Sequence, residues 1–216
     1  MKIGILGATG MTGQQIFKEA TSRGHDVTAI VRNRQKAEDL LQTQQIIESD
    51  VFDLTFDQLK DFDVLVNALN VPRNKNLGYL HIDMAAHLIR ILRNTTQPRI
   101  LFVVGAASLQ APDGELFIDR FKKDPSAQSW IDTPQMQVHE LHFLQTVTNV
   151  NWVAVSPALN YSDGPKTNYR RNDDDKAMFN QDGVSTLSSG NLAAAIVDEL
   201  EKPTIHQARF AVGNDD

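Results

Sequence analysis

A short apolar run, Lys2–Leu6, passes at once into Gly7-Ala8-Thr9-Gly10-Met11-Thr12-Gly13, which opens a stretch of helical period over Met11–Ser22. A chain that turns from strand to helix this abruptly needs glycine at particular places. Gly7 suits the tight turn. Gly10 lets backbone approach a diphosphate. Gly13 lets the helix lie close to the sheet. The unpaired N–H groups of the helix's first turn, with the helix dipole behind them, favour an anion there. The pattern predicts a dinucleotide-binding first βα unit. The plainer alternative is a tight turn with no ligand.

The rest of the chain repeats the alternation. Strands are predicted at 27–31, 45–47, 64–68, 100–104, 152–155 and 209–212. Helices are predicted at 34–41, 80–92, 135–148 and 191–200, the third with an apolar stripe at Val138, Leu141, Leu144 and Val147. Strands alternating with helices imply parallel pairing through right-handed crossovers. Strands this apolar imply a sheet covered on both faces. The fold class is therefore α/β, a doubly wound parallel sheet of the Rossmann type, in one domain spanning residues 1–216. One stretch, 158–187, is rich in Gly, Asn, Asp, Tyr and Arg and reads as a long irregular loop, either a substrate loop or a surface insertion.

Composition sets outer limits. Hydrophobic residues make up 41% and charged residues 22%, the mix of a globular chain. The formal charge of −6 argues against sequence-independent binding to nucleic acid or anionic membrane. The absence of cysteine removes disulfides, thiolate metal sites and cysteine nucleophiles. No targeting signal and no apolar run of membrane-spanning length is visible. A soluble cytoplasmic protein is expected.

The end of the second strand bears on which dinucleotide is bound. An acid there bonds the adenosine ribose of NAD, whereas arginine accommodates the 2′-phosphate of NADP. The chain reads Ala29-Ile30-Val31-Arg32-Asn33-Arg34, and Asp26 lies at the wrong end of the strand. Arg32 is thus expected to pair the 2′-phosphate, with Arg34 or Lys36 assisting. NADP(H) is preferred on this reading and NAD(H) stays open.

GATGMTG with the later VRN resembles the atypical short-chain dehydrogenase/reductase group that includes NmrA-like proteins and biliverdin reductase B-like flavin reductases. Val103-Val104-Gly105-Ala106-Ala107-Ser108-Leu109 is similar to the VVGGAGSL segment of bacterial NADH-flavin reductases, and Trp152-Val153-Ala154-Val155-Ser156-Pro157-Ala158 to their WTFLSPA segment. The segment 192–200 and the strand Arg209-Phe210-Ala211-Val212-Gly213 are similar to their ending. The resemblance implies that Thr9, Gly10, Met11 and Thr12 line the diphosphate and that Asp50 and Val51 contact adenine. It implies further that Ala68 and Leu69, within Asn67-Ala68-Leu69-Asn70, wall the adenosine ribose, and that Ser156 and Pro157 lie near the nicotinamide. Asp50 reads equally well as a helix cap.

Most short-chain dehydrogenases carry a Tyr-x-x-x-Lys pair. Here the residues four places after Tyr79, Tyr161 and Tyr169 are Asp83, Pro165 and Asp173. Alcohol–ketone and sugar-nucleotide epimerase chemistry are both disfavoured. Hydride transfer to a flavin, quinone or similar planar acceptor asks mainly for orientation, with a proton available from water. Ser108 is the candidate catalytic donor, and Asn160, Tyr161, Tyr169 and Arg170 are candidate acceptor contacts. Flavin would enter as substrate, not as prosthetic group. The alternative is a non-catalytic NmrA-like sensor of NADP acting through a protein partner. A homodimer is compatible with either.

His139-Glu140-Leu141-His142 lacks the second histidine four places after the first that a zinc-protease helix needs. His81, Asp83 and His87 do not share one helix face and read as capping or surface residues. Asp173-Asp174-Asp175 reads as a solvated acidic run. No metal site and no Gly-x-Ser-x-Gly elbow is expected.

Overall fold

In the computed structural model, residues 1–72 and 76–215 are described. The chain folds as a single α/β domain. The strands are β1 (Lys2–Leu6), β2 (Asp26–Val31), β3 (Ile46–Glu48), β4 (Val64–Asn67), β5 (Thr95–Val103), β6 (Val150–Ser156), β7 (Asn160–Ser162), β8 (Tyr169–Asn172), β9 (Thr186–Ser188) and β10 (Arg209–Asn214). The α-helices are α1 (Met11–Ser22), α2 (Arg34–Leu41), α3 (Phe56–Leu59), α4 (Leu80–Leu92), α5 (Phe117–Lys123), α6 (Asp132–Gln145) and α7 (Ser189–Glu201). The main sheet runs β3-β2-β1-β4-β5-β6-β10-β8. Strand order reverses between β1 and β4, and in open α/β sheets ligands bind in the crevice at that point.

Each face of the sheet is covered. On one side Ile3, Ile5, Val153, Val155, Phe210 and Val212 meet Ile16 and Phe17 of α1 and Leu192 and Ile196 of α7. On the other, Leu65, Ile100, Phe102 and Trp152 meet Leu88 and Ile89 of α4 and Leu141 and Leu144 of α6. At the middle of β5, Arg99 donates a 2.7 Å bond to the fully buried Glu199 of α7, which also takes Nη1 of Arg171 at 2.7 Å. These two arginines tie β5, β8 and α7 together.

Two expectations need correction. The stretch 158–187 is irregular only in part: within it β7 pairs in parallel with β9, and β8 pairs antiparallel with β10. Main-chain pairing at an edge needs no apolar alternation, so Tyr169-Arg170-Arg171-Asn172 carries no strand signal in its composition. For the same reason the main sheet is not wholly parallel. α5 also went unpredicted. Its Phe117 and Ile118 are buried, but the helix is only seven residues long and four of them are charged.

Candidate functional site at the β1–β4 crevice

The glycine turn sits at the carboxyl end of β1. Gly7 has φ +78° and backs directly on Ala68 and Leu69 after β4, where a Cβ would lie 2.8 Å from the Ala68 carbonyl oxygen. A Cβ on Gly13 would lie 2.2 Å from the Gly7 carbonyl oxygen. No other residue fits either place without moving backbone. Gly10 is the N-cap of α1, has no side chain to cap with, and is followed by no acid in the first turn. The first-turn N–H groups are thereby left for an external anion. Met11 is exposed beside them and Gln14 closes the turn by donating to the Thr9 carbonyl at 3.0 Å.

Thr12 is already engaged. Its Oγ1 lies 2.8 Å from the Tyr161 hydroxyl, brought across by β7. Burial pushes the Tyr161 phenol up to about 12, against a smaller opposite effect of the Thr12 bond. Tyr161 therefore sits at the turn.

At the end of β2, Arg32 is exposed, and among the described residues its guanidinium has no partner. Arg34 departs from expectation. Its Nη2 donates to the Ile46 carbonyl at 2.8 Å and its Nη1 faces Glu38, so it is turned to the β3 edge and away from the crevice. Lys36 is exposed and gives its backbone N–H to the Asn33 cap. The sheet register also brings in a carboxylate that β2 alone does not show. Val31 is level with Glu48, whose Oε1 accepts the Arg34 N–H at 2.9 Å. Asp50 caps a short 3-10 turn by accepting from Phe52 N at 3.0 Å, and Val51 packs into the core, so both have structural work in this state.

Beyond β5 and β6 the polar groups form one cluster. The side chain of Arg209 is almost fully buried. Its Nη1 donates to Ser108 Oγ at 2.8 Å and to Ser156 Oγ at 3.2 Å, and its Nη2 pairs with Asp175. Ser156 spends its own proton on the Gly105 carbonyl at 2.9 Å. Ser156 and the adjoining Pro157, the residues expected near a nicotinamide, are both buried. Ser108 is 7% exposed and accepts from Arg209, which leaves its own proton to donate. Asp175 is accordingly a counter-ion and not simply a solvated charge.

The remaining predicted contacts are dispersed. Asn160 is exposed at the start of β7. Tyr169 bonds Asp198 on α7, and burial together with that carboxylate raises its pKa above the ordinary phenol range. Arg170 faces Asp215 and the Phe179 carbonyl. Tyr79 is half exposed at the start of α4.

Sequence reasoning missed Arg209, whose nearest signal was a basic residue opening an otherwise apolar strand. It also misplaced two residues between α4 and α6. His81, expected as a capping or surface residue, is 2% exposed, and Glu140, outside the apolar stripe predicted for its helix, is 1% exposed. Their Nδ1 and Oε2 atoms are 3.6 Å apart. Burial raises the Glu140 pKa, with His81 opposing. Among the described residues no cluster of His, Cys, Asp or Glu has the arrangement of a metal site, and no helix is long and apolar enough to cross a membrane.

A Rossmann sheet with a glycine turn pressed into its switch-point crevice defines a nucleotide-binding protein. A model described as NAD(P)H-binding matches residues 7–203, and the chain belongs to that family. The "Uncharacterized protein YwnB" of Bacillus subtilis (strain 168) is 37% identical over 214 residues, 98% of each chain. A crystal structure from Lactobacillus casei is 40% identical with a TM-score of 0.94, covering all of both chains. SP1627 of Streptococcus pneumoniae, a "putative NADH-flavin reductase", is 34% identical with a TM-score of 0.88, again over both whole chains. ChuY, an anaerobillin reductase from Escherichia coli O157:H7, shares the fold at 15% identity and a TM-score of 0.70 over 100% of this chain and 98% of that one.

Proposed function

We propose that this protein is an NADPH-dependent reductase that passes hydride to a flavin, a quinone or a similar planar acceptor. The observation that carries the reading is the pairing of a turn built for a dinucleotide diphosphate with an exposed arginine, Arg32, that has no partner among the described residues, where a 2′-phosphate would lie. The similarity to SP1627 over the whole chain supports the reductase class.

The bound dinucleotide supplies the hydride. Gly7, Gly10 and Gly13 admit its diphosphate to the backbone of the α1 first turn, where Thr9, Met11 and Thr12 line it. Ala68 and Leu69 wall the ribose side. Asp50 and Val51 flank the adenine through their backbone, since their side chains are engaged. Arg32 pairs the 2′-phosphate, helped by Lys36. The backbone at Ser156 and Pro157 borders the nicotinamide. Ser108, held as an acceptor by Arg209, presents its hydroxyl proton to the acceptor or the carboxamide.

Two of the tyrosines have polar partners elsewhere, Tyr161 at Thr12 and Tyr169 at Asp198. The third, Tyr79, has Asp83 rather than lysine four residues on. That distribution favours an acceptor that draws its proton from water over one that needs a phenol beside it. The test is NADPH oxidation followed by absorbance with FMN, FAD and simple quinones in turn, with binding checked by NADPH fluorescence. Turnover well above the protein-free rate is expected. Binding without turnover across the panel would replace this reading with that of a non-catalytic NADP sensor.

A further inference from the structure

Tyr161 lies 149 residues from Thr12 in sequence, yet the two hydroxyls are 2.8 Å apart. The contact is not a chance touch of a loose loop. Tyr161 is the middle residue of β7, level with Leu187 of β9. Asn160 N–H donates to the Ser185 carbonyl at 2.9 Å, and Ser189 Oγ donates to Asp163 at 2.7 Å. Lys166, a few residues on, reaches Glu19 of α1 at 2.6 Å. The segment is therefore fastened both to the start of α7 and to the side of α1, and the ring packs against the apolar layer between them.

The direction of the bond follows from acidity. A phenol is a stronger acid than an aliphatic alcohol, so Tyr161 donates and Thr12 accepts. Thr12 is the second residue of α1, beside the unpaired first-turn N–H groups. With its oxygen occupied by Tyr161, its remaining proton is available to the anion that those N–H groups face. Hydrogen bonds in series polarise one another, so a Thr12 hydroxyl that accepts from Tyr161 is the better donor.

We propose that Tyr161 is a positioning residue of the dinucleotide site, which acts through Thr12 to aim a hydroxyl proton at the cofactor's diphosphate. This rests on the dinucleotide reading of the glycine turn but not on the identity of the hydride acceptor.

The experiment compares ligands with and without a diphosphate. Dissociation constants are measured for NADPH, ADP-ribose and adenosine 2′-monophosphate with the native protein and with Tyr161→Phe, Thr12→Val and the double variant. Tyr161→Phe keeps the ring and its packing. It is expected to weaken NADPH and ADP-ribose by about three- to tenfold, the scale of one hydrogen bond, and to leave the 2′-monophosphate unchanged. The double variant should lose no more than Thr12→Val alone. Equal losses for all three ligands would mean a merely structural role and would overturn the proposal, as would no loss for any. Failure of the native protein to bind NADPH or ADP-ribose would overturn the dinucleotide reading itself.

Discussion

The Ser108 hydroxyl accepts a 2.8 Å bond from a guanidinium, that of Arg209, whose side chain is almost wholly out of water. That bond fills one of the two lone pairs of the serine oxygen and leaves its proton free to donate. Replacing Ser108 with Ala should therefore lower kcat with the best acceptor by about tenfold, the value of one lost hydrogen bond, while the Kd for NADPH stays within twofold. Steady-state kinetics and fluorescence titration together check this. A parallel rise in Kd would place Ser108 in cofactor binding.

Arg209 itself joins β10 to the segment after β5 and to Asp175. Arg209→Leu should cost about 1.5–3 kcal/mol of stability, the range for a hydrogen bond to a charged group. The loss stays that small because the Asp175 carboxylate remains largely solvated and is not stranded in the core. Urea unfolding of the variant against the native protein measures it.

The proposed NADPH preference rests on Arg32, and Glu48, level with the preceding Val31, is the carboxylate that β3 brings near it. Arg32→Ala should weaken NADPH by about 1.5–3 kcal/mol and NADH hardly at all. Glu48→Gln should move the preference further toward NADPH by removing a like charge from beside the 2′-phosphate. Equal losses of both cofactors in Arg32→Ala would remove the basis for an NADPH preference.

Glu199 contributes to the acid limb of stability, beside other carboxylates that folding depresses, Glu19 and Asp198 among them. Burial alone would raise its pKa, but bonds from Arg99 and Arg171, with Thr204 and the Ile205 N–H, outweigh that and bring it to about 2 from an ordinary 4.5. A carboxyl depressed by folding stabilises the native state above its unfolded pKa and stops doing so as pH falls through the folded one. About 3 kcal/mol should be lost between roughly pH 4.5 and 2. Urea midpoints across that window test this, and midpoints that do not fall would contradict it.

Glu140 behaves in the opposite sense. Its folded pKa is raised by burial, so the protonated form is the one the fold accepts, and stability falls as pH climbs through the folded value. Among the described residues its Oε2 and the His81 Nε2 have no hydrogen-bond partner, which adds to the cost of burying the pair. Glu140→Gln, which cannot ionise, should be as stable as the native protein or more so at pH 8, and should flatten the fall on the alkaline side. Thermal melts from pH 5 to 9 would show a shared slope if Glu140 were not responsible.

The parts of this molecule that sequence reading recovers are those written in neighbouring residues. β1 and α1 follow from apolar period and three glycines, and α2 and α4 from helical spacing. What escapes it is set by partners far apart in the chain. Nothing local marks Glu140 as buried, because its surroundings come from α4, some sixty residues earlier. The role of Arg209 depends on Ser108 and Asp175, neither of them near it in sequence. Tyr161 was visible as a residue of interest, but only the β7–β9 pairing puts it beside Thr12. β8 was invisible for another reason, since its strand character lies in the main chain it offers to β10.

That pairing has a consequence for how the molecule meets its own copies. β10 has Phe210, Ala211 and Val212 at its centre, and without β8 it would end the sheet as a bare apolar ladder inviting another chain to pair with it. β8 covers that ladder and leaves Arg170 exposed on its rim, where charge resists further growth, while Arg171 turns in to Glu199. At the opposite margin β3 is only three residues long. A shortened chain lacking 160–180 should therefore keep much of its helix and strand content and yet precipitate, because the insertion guards the sheet against self-association.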